Sequence, residues 1–195
     1  MKKVINTVSV LALALCLCFS LSSCFFLAYR TNATVSDAEM SAVTIPDKEY
    51  VIPAGYKSYN YEDISLAYPE NWIINDGSVV LIVNETGAGN NITLAYEPFS
   101  NVYTDITAQE FEEMVKSSYE AAGASMSGTS VKQTENKRGL AITQITYKMI
   151  MSGVEMDQTM FIFPAGNRNY VVTVTETDKD SELVDTVFES LWAEK

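Results

Sequence analysis

The 195-residue sequence contains no histidine. A Ser-His-Asp triad, a histidine-ligated zinc and a histidine switch near neutral pH are therefore excluded. Its three cysteines, Cys16, Cys18 and Cys24, all lie near the start of the chain. Beyond Cys24 there is no thiol nucleophile, cysteine metal site or disulfide, so the folded part depends on its core. Positive charge is scarce too: 13 Lys and Arg stand against 25 Asp and Glu, for a net charge of −12. Nucleic-acid binding needs basic patches that neutralise phosphates, and none is present. Peripheral attachment to anionic lipid is disfavoured for the same reason. The acidic excess favours solubility and self-repulsion near a negative surface.

What is present begins with an address. Lys2 and Lys3 precede an apolar run, Val4 to Leu21, broken only by small polar residues such as Asn6, Thr7, Ser9 and Ser20. A charged start, an apolar core and small residues at a cleavage site form a secretory signal. Here the small residues lead directly into Cys24. Leu21-Ser22-Ser23-Cys24 resembles the lipobox of bacterial lipoproteins: an aliphatic residue, two small ones, then cysteine. Cys16 and Cys18 do not fit, because Leu15 and Leu17 stand where the pattern needs a small residue. The resemblance implies diacylation of the Cys24 thiol and cleavage just before it. The competing reading is an uncleaved membrane-spanning helix, which takes about 20 apolar residues. Ser20, Ser22 and Ser23 argue against it.

The expected layout is a signal peptide at 1–23, a lipidated Cys24 with a flexible tether at 24–48, and one globular domain at 49–195. Without Lys2 and Lys3, 11 basic residues face 25 acidic ones, a net charge of −14. Two or three acyl chains, at about 0.8 kcal/mol per buried CH₂, make attachment effectively permanent. The tether reaches about 25 Å as a flexible coil. A domain of about 150 residues buries roughly 68–70% of its unfolded surface, enough for a core.

Within the domain, alternation predicts a tight hairpin of Ile64–Tyr68 and Trp72–Asn75, turning at Pro69-Glu70-Asn71. Strands are expected at Ser78–Asn84 and Asn91–Glu97. Thr107 and Glu110 have capping-box spacing, and Phe111, Met114, Val115, Ser118, Tyr119 and Ala122 repeat on one helical face. Gly123 suits the left-handed position that ends the helix. The Ala-Ser-Gly-rich stretch to Thr129 reads as a mobile loop. Strands follow at Val131–Asn136, Leu140–Met151, Val154–Phe163 and Asn169–Glu176, with turns at Ser152-Gly153 and at Pro164 to Asn167. Ile142, Ile145 and Ile150 do not keep one parity, which suggests a bulge or a register change. A last helix is expected from Ser181 to Ala193, with Leu183, Val184, Val187, Phe188, Leu191 and Trp192 as its apolar stripe. Strands, helix, strands, helix is the order of an α+β fold: an antiparallel β-sheet packed with helices.

The stretch Ile64-Ser65-Leu66-Ala67-Tyr68-Pro69-Glu70-Asn71-Trp72, after a lead-in with Tyr56, Tyr59 and Tyr61, resembles the opening of the PsbP/Mog1-like superfamily. The resemblance covers roughly residues 56–195. It implies an α/β sandwich with a helix crossing midway and a C-terminal helix ending in an aromatic residue, as Leu191-Trp192 does. It also implies a non-catalytic accessory protein that binds partner proteins, with no catalytic residues to carry over.

Candidate sites are few. Asp178, Asp180 and Glu182 alternate as calcium ligands do, but lack the glycine turn and the distant bidentate Glu, so helix capping explains them better. Gly87-Ala88-Gly89-Asn90-Asn91 lacks the Lys-Ser/Thr and following helix of a phosphate loop and reads as a turn. Glu110, Glu112, Glu113 and Glu120 fit a solvated helix face better than an acid/base pair across a cleft. No metal, cofactor or catalytic residue is expected. Tyr56, Tyr59, Tyr61, Tyr96, Phe99 and Tyr103 are the candidate partner surface, because tyrosine offers apolar area and a hydroxyl together. The expected partners are the membrane, through Cys24, and an envelope protein. Two rivals are a small-molecule or lipid binder with a pocket between sheet and helices, and a hydrolase using carboxylates alone.

Overall fold

The computed structural model describes residues 50–84 and 89–193, so the expected signal peptide, Cys24 and the tether lie outside the described residues. In chain order the described strands are β1 (Tyr56–Tyr61), β2 (Ile64–Pro69), β3 (Ile73–Asn75), β4 (Val80–Val83) and β5 (Asn91–Pro98). A 3₁₀ turn (Asn101–Tyr103) leads to helix α1 (Ala108–Ala121). Then come β6 (Ala124–Glu135), β7 (Ala141–Met151), β8 (Val154–Ala165), β9 (Arg168–Glu176), helix α2 (Ser181–Ser190) and β10 (Trp192–Ala193). They form a three-stranded sheet, β1-β2-β10, and a seven-stranded sheet, β3-β4-β5-β9-β8-β7-β6. Every pairing is antiparallel. The α+β class expected from element order is the class observed.

The seven-stranded sheet is buried on both faces, and residue parity shows it. On one face Ile82, Ile92, Leu94, Phe161, Phe163, Val172 and Val174 meet Ile64 and Leu66 of β2 and Leu183, Val187 and Leu191 of α2. On the other, Ile145, Tyr147, Met149, Met156, Met160 and Ile162 meet Phe111 and Val115 of α1. The mixed parity of β7 is therefore no bulge in β7. Ile142 serves the first core and Ile145 the second. The register shift lies in its neighbour β6, between Ser127 and Ser130, where Gly128 takes φ +67.

Local chemistry places α1 as expected. The Thr107 hydroxyl accepts from the Glu110 amide at 3.2 Å, and the Glu110 carboxylate accepts from the Thr107 amide at 2.8 Å. Gly123 follows the helix at φ +68. In the β7–β8 turn, Ser152 and Gly153 both have positive φ, which matches the twist of a two-residue hairpin.

Three expectations are corrected. The hairpin across Pro69–Trp72 does not form: β2 pairs with β1 and β10, and β3 pairs with β4 in the other sheet. Pro69–Trp72 is instead a turn between sheets, with the Trp72 amide donating to the Pro69 carbonyl at 3.0 Å. The Ala-Ser-Gly-rich stretch after Gly123 is no loop: Ala124–Ser127 pair with Lys148–Met151 as the first part of β6. The last helix stops at Ser190. Leu191 has ψ 129, and Trp192 and Ala193 pair with Ser65 and Ile64 of β2. Next to them, the Ser190 hydroxyl accepts from the Ala67 amide at 2.8 Å, so a side chain extends the edge just before β10 begins.

The β6–β7 turn grips the end of α2. The amide nitrogen of buried Asn136 donates to the carbonyls of Phe188 (2.9 Å) and Leu191 (2.8 Å). Its side-chain oxygen accepts from the amides of Arg138 (3.1 Å) and Leu140 (3.0 Å). The Arg138 guanidinium lies over the Trp192 ring, 4.5 Å from its centroid.

Candidate functional site

The expected surface residues divide in the structure. Tyr56, Tyr59 and Tyr61 sit on β1 and pack partly against the first core. Tyr96 projects from β5 on the same side of the large sheet as Ile92 and Leu94, four and two residues earlier, and remains exposed. Phe99 is half-buried, its amide donating to the Asn167 carbonyl at 2.9 Å. Tyr103 does not belong with them: it is buried in the second core, on the α1 face of the sheet. Its spacing from Tyr96 and Phe99 suggests one surface, but the 3₁₀ turn carries it to the other side. Cys24 lies outside the described residues.

Tyr61 and Tyr96 are set by a residue absent from the expected group, Tyr170 of β9. Register places Tyr96 opposite Tyr170. The Tyr170 ring is fully buried, with Tyr96 at 5.8 Å, Tyr61 edge-on at 6.4 Å and Phe163 stacked at 6.1 Å between centroids. Tyr61 and Tyr96 also touch, at 6.0 Å. The Tyr170 hydroxyl donates to Asp63 Oδ2 at 3.1 Å, from a residue 107 positions away. Arg168 closes the group. Its guanidinium lies 4.0 Å from the Tyr96 ring centroid, and it donates to Glu62 Oε2 at 3.2 Å and to the Tyr170 hydroxyl at 3.3 Å. Glu62, at φ +53, and Asp63 form the two-residue turn between β1 and β2. One turn thus supplies both carboxylates of the ledge that Tyr61, Tyr96, Tyr170 and Arg168 form together. Burial pushes the Tyr61 hydroxyl up to about 12, with nearby Tyr96 and Glu62 adding to it, so the ring stays neutral at physiological pH. Farther along β1, Tyr59 donates to Asp76 Oδ1 at 2.5 Å and meets Tyr68 edge-on at 6.4 Å.

The ledge can present aromatic faces, a guanidinium and two carboxylates, held by mutual contact. It has no nucleophile–base pair. The carboxylates considered for acid/base chemistry are occupied or solvated: Glu110 caps α1, and Glu112, Glu113 and Glu120 are exposed. Asp180 caps α2, accepting from the Leu183 amide at 3.2 Å. Asn90 takes the amides of Thr177 (3.0 Å) and Asp178 (3.1 Å) on its side-chain oxygen, while residues 85–88 before it lie outside the described residues. Between α2 and the large sheet stand Phe161, Phe163, Leu183, Val187 and Leu191, all buried. Among the described residues, no helix is long and apolar enough to cross a membrane.

One carboxyl departs strongly from its usual range. Burial raises Glu97 from 4.5 to about 7, although the Tyr103 and Asn169 side chains hydrogen-bond it and oppose the rise. An acid whose folded value is raised contributes most where both states are protonated, below about 4.5. That contribution is lost as pH rises to about 7, and is constant above it. Glu97→Gln should therefore remove a fall in melting temperature between pH 4.5 and 7 and be the more stable form at pH 8. Melting temperatures of the two proteins that diverge as pH rises from about 4.5 to 7 would show it, and profiles that stay parallel would refute it.

No protein-family profile matches the sequence, and neither does any curated protein. Solved structures with partial likeness exist. A Bacteroides thetaiotaomicron VPI-5482 protein has 18% identity over 68% of this chain, with a TM-score of 0.45. This chain spans only 46% of that protein's length. LpqN of Mycobacterium tuberculosis, described as involved in cell envelope biogenesis, has 14% identity over 72% of this chain and 91% of its own, with a TM-score of 0.40. A Pseudomonas aeruginosa protein of unknown function has 14% identity over 63% of this chain and 83% of its own, with a TM-score of 0.35. Likeness at this level assigns no family, activity or partner.

Proposed function

We propose that the chain is a bacterial lipoprotein, exported and held at the membrane by a lipidated Cys24, whose PsbP/Mog1-like domain binds an envelope protein without catalysis. The observation that carries the binding role is the ledge of Tyr61, Tyr96 and Arg168. Tyr and Arg are the residue types that most often dominate binding energy, and Tyr96 is exposed in the middle of such a group. Its ring is already fixed by Arg168 and Tyr170, so little side-chain freedom is left to lose on docking. Support for the address comes from Lys2, Lys3, the apolar run and Leu21-Ser22-Ser23-Cys24. Support for the accessory role comes from the absence of histidine and of any cysteine after Cys24.

A photoreactive residue at position 96 tests the surface in intact cells, with the same residue at Glu112, exposed on α1, as the control. One envelope protein captured from position 96 and not from 112 is the expected result. Equal capture from both positions, or none from 96, would remove the ledge from the proposal.

A further inference from the structure

Each sheet ends in two edge strands: β3 and β6 bound the large sheet, β1 and β10 the small one. An edge presents unpaired main-chain groups, and proteins guard such edges with short strands, bulges, proline or charge. Three of these four edges are guarded. β3 has three residues and β10 two. β6 is irregular between Ser127 and Ser130 and carries exposed Lys132 and Glu135. β1 has six residues, no proline and an unbroken register against β2. That register fixes where its main chain points. The two-residue turn at Glu62-Asp63 is closed by a hydrogen-bonded pair, Tyr61 and Ile64, and bonded pairs alternate with unbonded ones from there. Tyr59 therefore bonds β2, while Ser58 and Asn60 turn their N–H and C=O away from it. The far side of β2 agrees. The Ala67 amide, opposite Ser58, donates to Ser190 Oγ at 2.8 Å, and Ser65, opposite Asn60, pairs with Trp192. Ser58 and Asn60 are both exposed, and among the described residues no other strand, turn or side chain bonds their main chain.

We propose that this edge joins a second copy of the same chain, β1 to β1, antiparallel across a two-fold axis at Tyr59. In that register Ser58 faces Asn60 of the second copy and Asn60 faces Ser58, so the free N–H and C=O groups of both residues are used on each side. Neighbouring registers waste them. A two-fold at Ser58 sets Asn60 against Tyr56, whose amide already donates to the Pro53 carbonyl at 3.2 Å. A two-fold at Asn60 sets Ser58 against Glu62, which lies in the turn at φ +53. The side chains fit the same register. Lys57, Tyr59 and Tyr61 share one face of β1. On that face Tyr59 meets Tyr59 of the second copy, and Lys57 lies across from Tyr61, next to Glu62. Paired aromatic rings and a cation beside a ring stabilise such cross-strand neighbours. On the other face the Ser58 and Asn60 side chains meet, and each can both donate and accept. The chain's net charge of −12 opposes self-association, but the only charge on β1 is Lys57, which gains a ring and a carboxylate. The two small sheets become one of six strands, β10-β2-β1-β1-β2-β10. This pairing goes beyond the envelope-protein partner proposed above, and either can fail without the other.

Two forms of the full chain with different affinity tags, co-expressed in a bacterial host, test it. One form carries a photoreactive residue at position 60. The expected result is a joined pair of the two forms, with the attachment mapped by mass spectrometry to residues 57–59 of the other form. The same residue at position 58 should attach to residues 59–61, and at Glu112, exposed on α1, it should join no second copy. Ser58→Pro in both forms should abolish the pair formed from position 60. Its melting temperature should stay near the native value, because the Ser58 amide faces away from β2 and proline is tolerated at such an edge position. Attachment elsewhere on the second copy, attachment only to a different protein, or no joined pair at full expression would overturn the proposal without recourse to the proline variant. An undiminished pair in a folded Ser58→Pro chain would overturn it as well.

Discussion

Asn136→Ala is expected to cost about 4 kcal/mol or more of stability, since four groups depend on one side chain and each buried group left unmet costs at least about 1 kcal/mol. The Phe188 and Leu191 carbonyls lose their donor, and the Arg138 and Leu140 amides lose their acceptor. The site is 4% exposed, so solvent is poorly placed to replace them. At about 2–4 °C per kcal/mol for a domain of this size, the melting temperature should fall by about 10 °C. Asn136→Asp discriminates the cause. It keeps an acceptor for Arg138 and Leu140 but sets a carboxylate against two carbonyls, so it should be at least as damaging as alanine. A mild Asp variant would show that the bonds to the end of α2 contribute little. The consequence reaches beyond the turn. Without that grip the end of α2 loosens, and β10, which follows it directly, loses its hold on β2.

Phe111→Ala is expected to cost about 3–5 kcal/mol, the usual range for emptying a buried phenylalanine site. Phe111 is fully buried and meets Tyr147 at 5.8 Å between centroids. It and Val115 are the fully buried residues of α1, so half of the helix's deep anchorage is removed. The effect should be local first. Amides of α1 should lose hydrogen-exchange protection well before those of β8 and β9, which lie at the middle of the sheet. Equal loss of protection in helix and sheet would mean that α1 and the sheet unfold as one unit.

What could be read from the sequence was what neighbouring residues decide. The α1 boundaries follow from the Thr107–Glu110 box and Gly123, both of which act within one turn. The β7–β8 hairpin follows from Ser152-Gly153. What could not be read depended on distant partners. Ile64–Tyr68 alternates like a strand whichever neighbour it takes, and its neighbours are β1 and a two-residue strand at the far end of the chain. Trp192 continues the helical stripe of α2, yet pairing with Ser65 draws it into a sheet. Ala124–Ser127 has loop composition and becomes strand because β7 offers a paired edge. The candidate surface shows the same division. Tyr61 and Tyr96 could be nominated by type, whereas Tyr170 and Arg168, which fix them, are brought there only by the β5–β9 register. Tyr103 satisfies the same rule of residue type, yet it is buried on the other face.

The proposal that this is a membrane-held binding module rests first on Cys24. The direct measurement is metabolic labelling with radioactive palmitate in a bacterial host, followed by membrane fractionation, for the native chain and for Cys24→Ala. Label on the native chain in the membrane fraction, and no label on a Cys24→Ala chain that keeps its uncleaved apolar run, is the expected result. An unlabelled native chain, or a Cys24→Ala chain that still takes up label, would contradict lipid anchoring at Cys24 and leave the ledge without an envelope setting.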